Sequence, residues 1–311
     1  MKKQKIRAIA ICAIVLVLSN LVLIGGGLIY KIISPTDANG QLLCDIMAEV
    51  IFAVAMLIVL VLIGGKDKLR CSDVPFADKW LVMFPLLCCI VALSFVNCLW
   101  MIAENGNMRT TWGYALGGIF LCVAIGVAEE LVFRVLILGT LNDSFGDTNP
   151  GMWISLFVSS LLFGFQHIGN VRTGASVQSV MIQIAYATLL GIALGAVYLR
   201  TKSLWIVAFL HGLQDFFGFF YNIFYGYVDY GKMLNQGSAR QILYYIPAVI
   251  VGIFLLRKGV KSRENRWKNQ TLKKMALVLS AVFVLAVVGT FTYLGTMSSL
   301  DRTVMLQRLF R

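Results

Sequence analysis

From Ala8 to Tyr30 the chain carries no charged side chain, and blocks of this kind recur along its length. A helix needs about 20 apolar residues to cross a bilayer core. Leu42–Ile63, Trp80–Ala103, Gly151–Ile168, Ser176–Leu199, Leu204–Tyr227, Gln241–Leu256 and Met275–Met297 are further candidates, and Trp112–Leu141 is another that carries charge. The pattern predicts an all-α, polytopic transmembrane bundle of about eight or nine helices. With 59% hydrophobic and 14% charged residues in a chain of 311, a soluble fold would lack the polar surface to cover its core.

The net charge of +12 does not point to nucleic acid, because the basic residues sit between apolar blocks and at the N-terminus. Lys2, Lys3, Lys5 and Arg7 precede the first span, and that span is longer than the roughly 7–15 apolar residues of a cleaved signal peptide. With a cytoplasmic N-terminus, the inside segments gain Lys66, Lys68, Arg70, Lys79, Arg200, Lys202 and the basic run Arg257–Lys274, in keeping with the positive-inside rule. We therefore expect a multi-pass protein, and the short chain without a eukaryotic sorting signal points to a bacterial plasma membrane. The seven cysteines, Cys12, Cys44, Cys71, Cys88, Cys89, Cys98 and Cys122, lack paired CxxC spacing and read as small apolar packing residues.

Ionisable groups deep in lipid cost about 2.5–3.5 kcal/mol each on insertion scales and usually face a protein interior or a watery cavity. Their positions therefore localise function. Asp45 and Glu49 read as lying near a membrane edge. The middle spans hold Glu129, Glu130, Arg134, His167, His211 and Asp215, and His167 and His211 are the only histidines in the chain. Glu130 and Arg134 stand one helical turn apart with the acid first, the better orientation for an ion pair. Glu129 points about 100° away and is left for another partner. Phe163 and His167, and His211 and Asp215, repeat the four-residue spacing. Three helices can thus present polar groups to one cavity.

A carboxylate beside an imidazole in a dry pocket can activate water. Ser155, Ser159 and Ser160 lie upstream of His167, but no pattern marks one as a nucleophile, and no HExxH helix is present. Two mechanisms fit the residues. In one, Glu129 and His167 activate water while His211 and Asp215 hold the oxyanion. In the other, Glu129 or Glu130 with His167 and His211 binds zinc, and the remaining glutamate acts as base.

Glu129-Glu130-Leu131-Val132-Phe133-Arg134 fits EExxxR, Phe163 to His167 fits FxxxH, and His211 to Asp215 fits HxxxN with aspartate for asparagine. In this order, on apolar spans between about Trp112 and Tyr227, the motifs resemble the CPBP family of CAAX-protease and bacteriocin-processing membrane proteins. The resemblance implies a CAAX-prenyl-protease-like core over residues 112–227, flanked by transmembrane helices in 1–111 and 228–311 within a single membrane domain. It also implies an intramembrane endopeptidase acting on a membrane-associated peptide or protein. It makes Glu129 the general base, His167 its aid, and His211 with Asp215 the oxyanion site, with Glu130, Arg134 and Phe163 in support. It favours the metal-free mechanism and no cofactor. Asp215 departs from the pattern, because an ionised aspartate repels an oxyanion that an asparagine amide would bind. Either Asp215 carries a proton, or it orients His211, or it binds a metal.

Two other functions use the same cavity: a non-catalytic bacteriocin-immunity or scaffold protein, and a proton-coupled transporter. No internal repeat of the kind many transporters show is present. The span map leaves one mismatch, placing His211 near the cytoplasmic start of its helix and His167 near the far end of its own. A shared site requires the helix before His167 to start deeper, or Asn142–Pro150 to be embedded.

Overall fold

A computed structural model describes residues 2–69, 75–146 and 148–256, and beyond these only Val278, Ala281, Asp301 and Val304. Among the described residues there are helices and turns but no strand. Five helices are long and apolar enough to cross a membrane: α1 (Lys2–Ile33), α2 (Ala38–Leu62), α3 (Phe76–Asn105), α6 (Asn149–Gln166, continued by a 3₁₀ segment His167–Thr173) and α7 (Val177–Thr201). The chain is an all-α, multi-pass membrane protein.

Between α3 and α6 one helical rod crosses the molecule. It begins as α4 (Trp112–Glu130), widens into π-helix over Leu131–Leu138, and ends as α5 (Gly139–Phe145). Side-chain caps supply the orphan amides of several helix starts: Asp37 accepts from Gly40 N at 2.8 Å, Thr111 from Tyr114 N at 3.2 Å and Thr148 from Gly151 N at 3.2 Å.

Two expected spans differ. Leu204–Tyr227 is not one helix: α8 covers Leu204–Gly218, a break at Phe219 follows, and α9 is only Phe220–Phe224. Backbone N–H groups of Arg109 and Thr110 bond the carbonyl of Phe224, so this end is tied to the α3–α4 loop instead of continuing as helix. Gln241–Leu256 likewise divides into α11 (Arg240–Tyr244) and α12 (Ile246–Leu256), after the short α10 (Tyr230–Asn235). Pro247 follows that division and has no backbone N–H to carry a helix hydrogen bond through it. The expected span Met275–Met297 lies almost wholly outside the described residues.

Glycine sets how closely the central helices meet, as small residues do between helices in membranes. A Cβ on Gly126 of α4 would stand 2.6 Å from the carbonyl oxygen of Ala208, and one on Gly212 of α8 would stand 2.9 Å from that of Cys122. With Gly126 against Ala208 and Cys122 against Gly212, α4 and α8 run antiparallel with their backbones almost touching, and Gly118 meets Ile223 of α9 further along. On the other flank Gly164 of α6 lies against Ile184 and Thr188 of α7, and Gly191 of α7 receives Phe163.

Polar contacts tie both ends of the bundle. Lys68 pairs with Asp143 at 2.8 Å and Lys5 lies over the Phe145 ring at 5.1 Å, so the basic segments meet at one end. At the other, Tyr30 bonds to Asp45, and Thr110 donates to the carbonyl of Ile223 at 2.7 Å. The six cysteines among the described residues are free. Cys71 lies outside them.

Candidate active site

One turn beyond the Gly126 contact, α4 presents Glu129 and Glu130, and the facing turn of α8 presents His211. Nδ1 of His211 donates to Oε1 of Glu130 at 2.9 Å, and Oε2 of Glu130 lies 2.8 Å from Nε of Arg134. Glu130 and Arg134 are wholly buried. The Glu130–Arg134 contact is close but not aligned as a hydrogen bond, and Nη1 and Nη2 of Arg134 are buried without hydrogen-bond partners. The guanidinium rests instead on the face of Phe163, 4.8 Å from its centroid, a cation–π contact. Glu130 therefore has two basic partners, where its spacing to Arg134 pointed to one.

The other edge of the imidazole faces two acids. Nε2 of His211 lies 3.5 Å from Oε2 of Glu129 and 3.7 Å from Oδ2 of Asp215. Those two side chains keep 21% and 19% of their surface accessible, whereas Glu130 has none. The partly open edge is where a substrate could reach.

His167 caps the C-terminal end of α6, and its Nδ1 donates to the carbonyl of Phe163 at 3.0 Å. With the Nδ1 proton so engaged, a neutral ring has Nε2 free to accept. The Phe163 ring meets both histidines edge-on, its centroid 5.2 Å from that of His167 and 5.6 Å from that of His211. Between the two spans, α5 runs on to Phe145 and α6 starts at Asn149.

Ser155, Ser159 and Ser160 are engaged elsewhere. Their hydroxyls donate to the carbonyls of Gly151, Phe133 and Leu156 at 2.8, 2.7 and 2.8 Å.

Two features were not legible in the motifs. Gln183 of α7 accepts from Asn170 at 2.8 Å and donates to Tyr230 at 2.8 Å, joining the segment after His167 to the segment after α8. Glu49 of α2, read as lying near a membrane edge, is in the middle of its helix and within electrostatic range of Glu129, Asp215 and His211. Helical spacing from Asp45 was its one available signal.

The zinc alternative needs a converging ligand set. Among the described residues no group of three or more His, Cys, Asp and Glu side chains is arranged to hold a metal ion. Nδ1 of His211 is held by Glu130 and Nδ1 of His167 by a carbonyl, the outer partners that a metal-bound imidazole would also have, so an ion would have to bind these rings through Nε2.

Residues 111–217 match the family described as type II CAAX prenyl endopeptidase, Rce1-like. Over this stretch the chain is similar to that family. The matched segment contains all seven residues singled out by the motifs and leaves α1, α2 and α3 outside it. No curated protein matches the chain.

Proposed function

We propose that this chain is an intramembrane endopeptidase that hydrolyses a peptide bond of a membrane-associated substrate without a metal ion. The observation that carries the reading is the division of labour around His211: one ring nitrogen held by Glu130, the other facing the partly open carboxylates of Glu129 and Asp215.

Glu129 is the general base. It takes a proton from a water held between it and the imidazole edge, and His167, with Nε2 free to accept, helps orient that water. The water oxygen bonds to the scissile carbonyl carbon, and the carbonyl electrons move onto oxygen. In its doubly protonated form His211 donates from Nδ1 to Glu130 and offers its Nε2 proton to the oxyanion. Collapse of the intermediate breaks the C–N bond, and the proton on Glu129 passes to the leaving nitrogen. We assign Asp215 the orienting role, steadying the imidazolium from one turn along α8. Glu130 and Arg134 act through His211 and the packing around Phe163.

The test is cleavage of a model transmembrane peptide by the purified full-length chain in detergent. Glu129→Gln is expected to remove about 10²–10⁴ of the rate, the share typical of general-base catalysis, with the variant still inserted and folded. Full activity of that variant would refute the assignment. Treatment with a strong chelator is expected to leave cleavage unchanged, and a loss reversed by added zinc would refute the metal-free mechanism.

A further inference from the structure

Helix α2 lies outside the matched segment yet packs along α4. Leu42 and Ile46 lie over Gly117, whose missing side chain makes room for them. Asp45 and Glu49 stand one turn apart on the same helix. Asp45 is satisfied by the hydroxyl of Tyr30. Glu49 has no such partner: its Oε2 is buried with no hydrogen bond. Among the described residues it pairs with no lysine or arginine. The ionisable groups in electrostatic range are Glu129, Asp45, Asp215 and His211, and α2 packs against α4, the helix that carries Glu129.

The charges there do not balance. Arg134 and Nδ1 of His211 are both committed to Glu130. Glu129 and Asp215 are left to share one imidazole edge, and Oδ2 of Asp215, like Oε2 of Glu49, is buried without a hydrogen-bond partner. A buried carboxylate oxygen with no donor is costly. A primary ammonium or guanidinium would supply donors in the stronger, charge-assisted form, whereas an acidic group would be rejected by the same carboxylates.

We propose that Glu49 is a specificity-determining residue that selects substrates with a lysine or arginine side chain close to the cleaved bond. The inference rests on the endopeptidase reading. It assigns to α2 a part in substrate choice and leaves the water chemistry to Glu129 and the histidines.

The experiment uses the full-length chain in detergent and a set of transmembrane model peptides that differ at one position, scanned along the segment: lysine, norleucine or glutamate. At the position facing Glu49 the lysine peptide is expected to be cleaved with kcat/KM about tenfold or more above norleucine, the discrimination of one charge-assisted pair, and the glutamate peptide below both. Glu49→Gln is expected to bring the lysine-to-norleucine ratio to about one, with Glu49→Asp, which keeps the charge, in between. Binding of the same peptides to Glu129→Gln, followed by fluorescence anisotropy, carries the same expected ratios without turnover. Equal treatment of lysine and norleucine by the wild-type chain at every position overturns the proposal, even if Glu49→Gln does not fold. So does a lysine preference that survives the substitution. If binding shows the preference but no peptide is cleaved, the endopeptidase reading fails and the cation selectivity stands.

Discussion

Nδ1 of His211 lies 2.9 Å from Oε1 of Glu130, although 81 positions of chain separate the two residues. A carboxylate at one ring nitrogen fixes which nitrogen carries the proton and steadies the charged ring. Glu130→Gln keeps the size of the side chain and removes this preference. It is expected to lower kcat by about 10²–10⁴, the range seen when a histidine loses its orienting carboxylate or a base its function. KM should change little. Steady-state cleavage of a model peptide checks both constants.

Arg134→Met tests the same carboxylate from the other side. It leaves Glu130, a wholly buried acid, without its guanidinium and strips the cation from the Phe163 face. Breaking a buried pair by removing one partner costs about 3–5 kcal/mol, so unfolding in detergent should occur at markedly lower temperature or denaturant. Adding Glu130→Gln should recover part of that stability without recovering cleavage.

Gly126→Ala is expected to cost about 1–3 kcal/mol, as overpacking does. The new methyl would meet the carbonyl oxygen of Ala208 at 2.6 Å, and a backbone atom cannot swing aside. The helices must separate, and the Glu129–His211 spacing opens with them. Cleavage should fall further than the change in unfolding midpoint explains. Gly218→Ala, where nothing lies within 4 Å of the added carbon, is the control.

Gln183→Leu leaves Asn170 and Tyr230 without their shared partner and should destabilise by about 1–3 kcal/mol. Gln183→Glu should do less harm, because a carboxylate accepts from Asn170 and from the Tyr230 hydroxyl alike. Thermal unfolding of the two variants separates the hydrogen bonds from the volume of the side chain.

Asp215→Asn restores the residue of the motif and keeps a polar atom beside Nε2. It is expected to retain cleavage within about tenfold, whereas Asp215→Leu, leaving His211 without support on that edge, should lose about 10²-fold or more. Parallel kcat/KM measurements decide whether charge or shape matters at this position.

The apolar blocks made the membrane-crossing helices legible, since lipid demands long uncharged segments. The same requirement misleads where a segment is covered by protein, and so Leu204–Tyr227, with Asp215 its one acidic or basic residue besides His211, breaks after Gly218. Glu130 and Arg134 could be paired from one helical turn. The bond from Glu130 to His211 could not, because it depends on how closely α4 and α8 approach, and that is set by the absence of side chains at Gly126 and Gly212. Glu49 was missed for a related reason: position in a span gives depth, not the direction in which the helix faces. The contact of the Phe163 ring with both His167 and His211 follows from the packing of α6 on Gly191, which no motif records.

The wide turns over Leu131–Leu138 bear on how this chain tolerates a change of length. The amide of Gly139 bonds back to the carbonyl of Arg134, five residues earlier, so the stretch holds more residues per turn than an α-helix does. Deleting a single residue there would let ordinary helical bonding resume in place of the wide turns, with Thr140 and Asp143 still facing Lys68 and α6 entering on its present heading. One residue removed from the regular turns of α4 has no such outlet, and it would turn the two sides of the cut by about 100° relative to each other. The stretch beside the pocket is thus the part of this rod that can lose a residue and keep the pocket together.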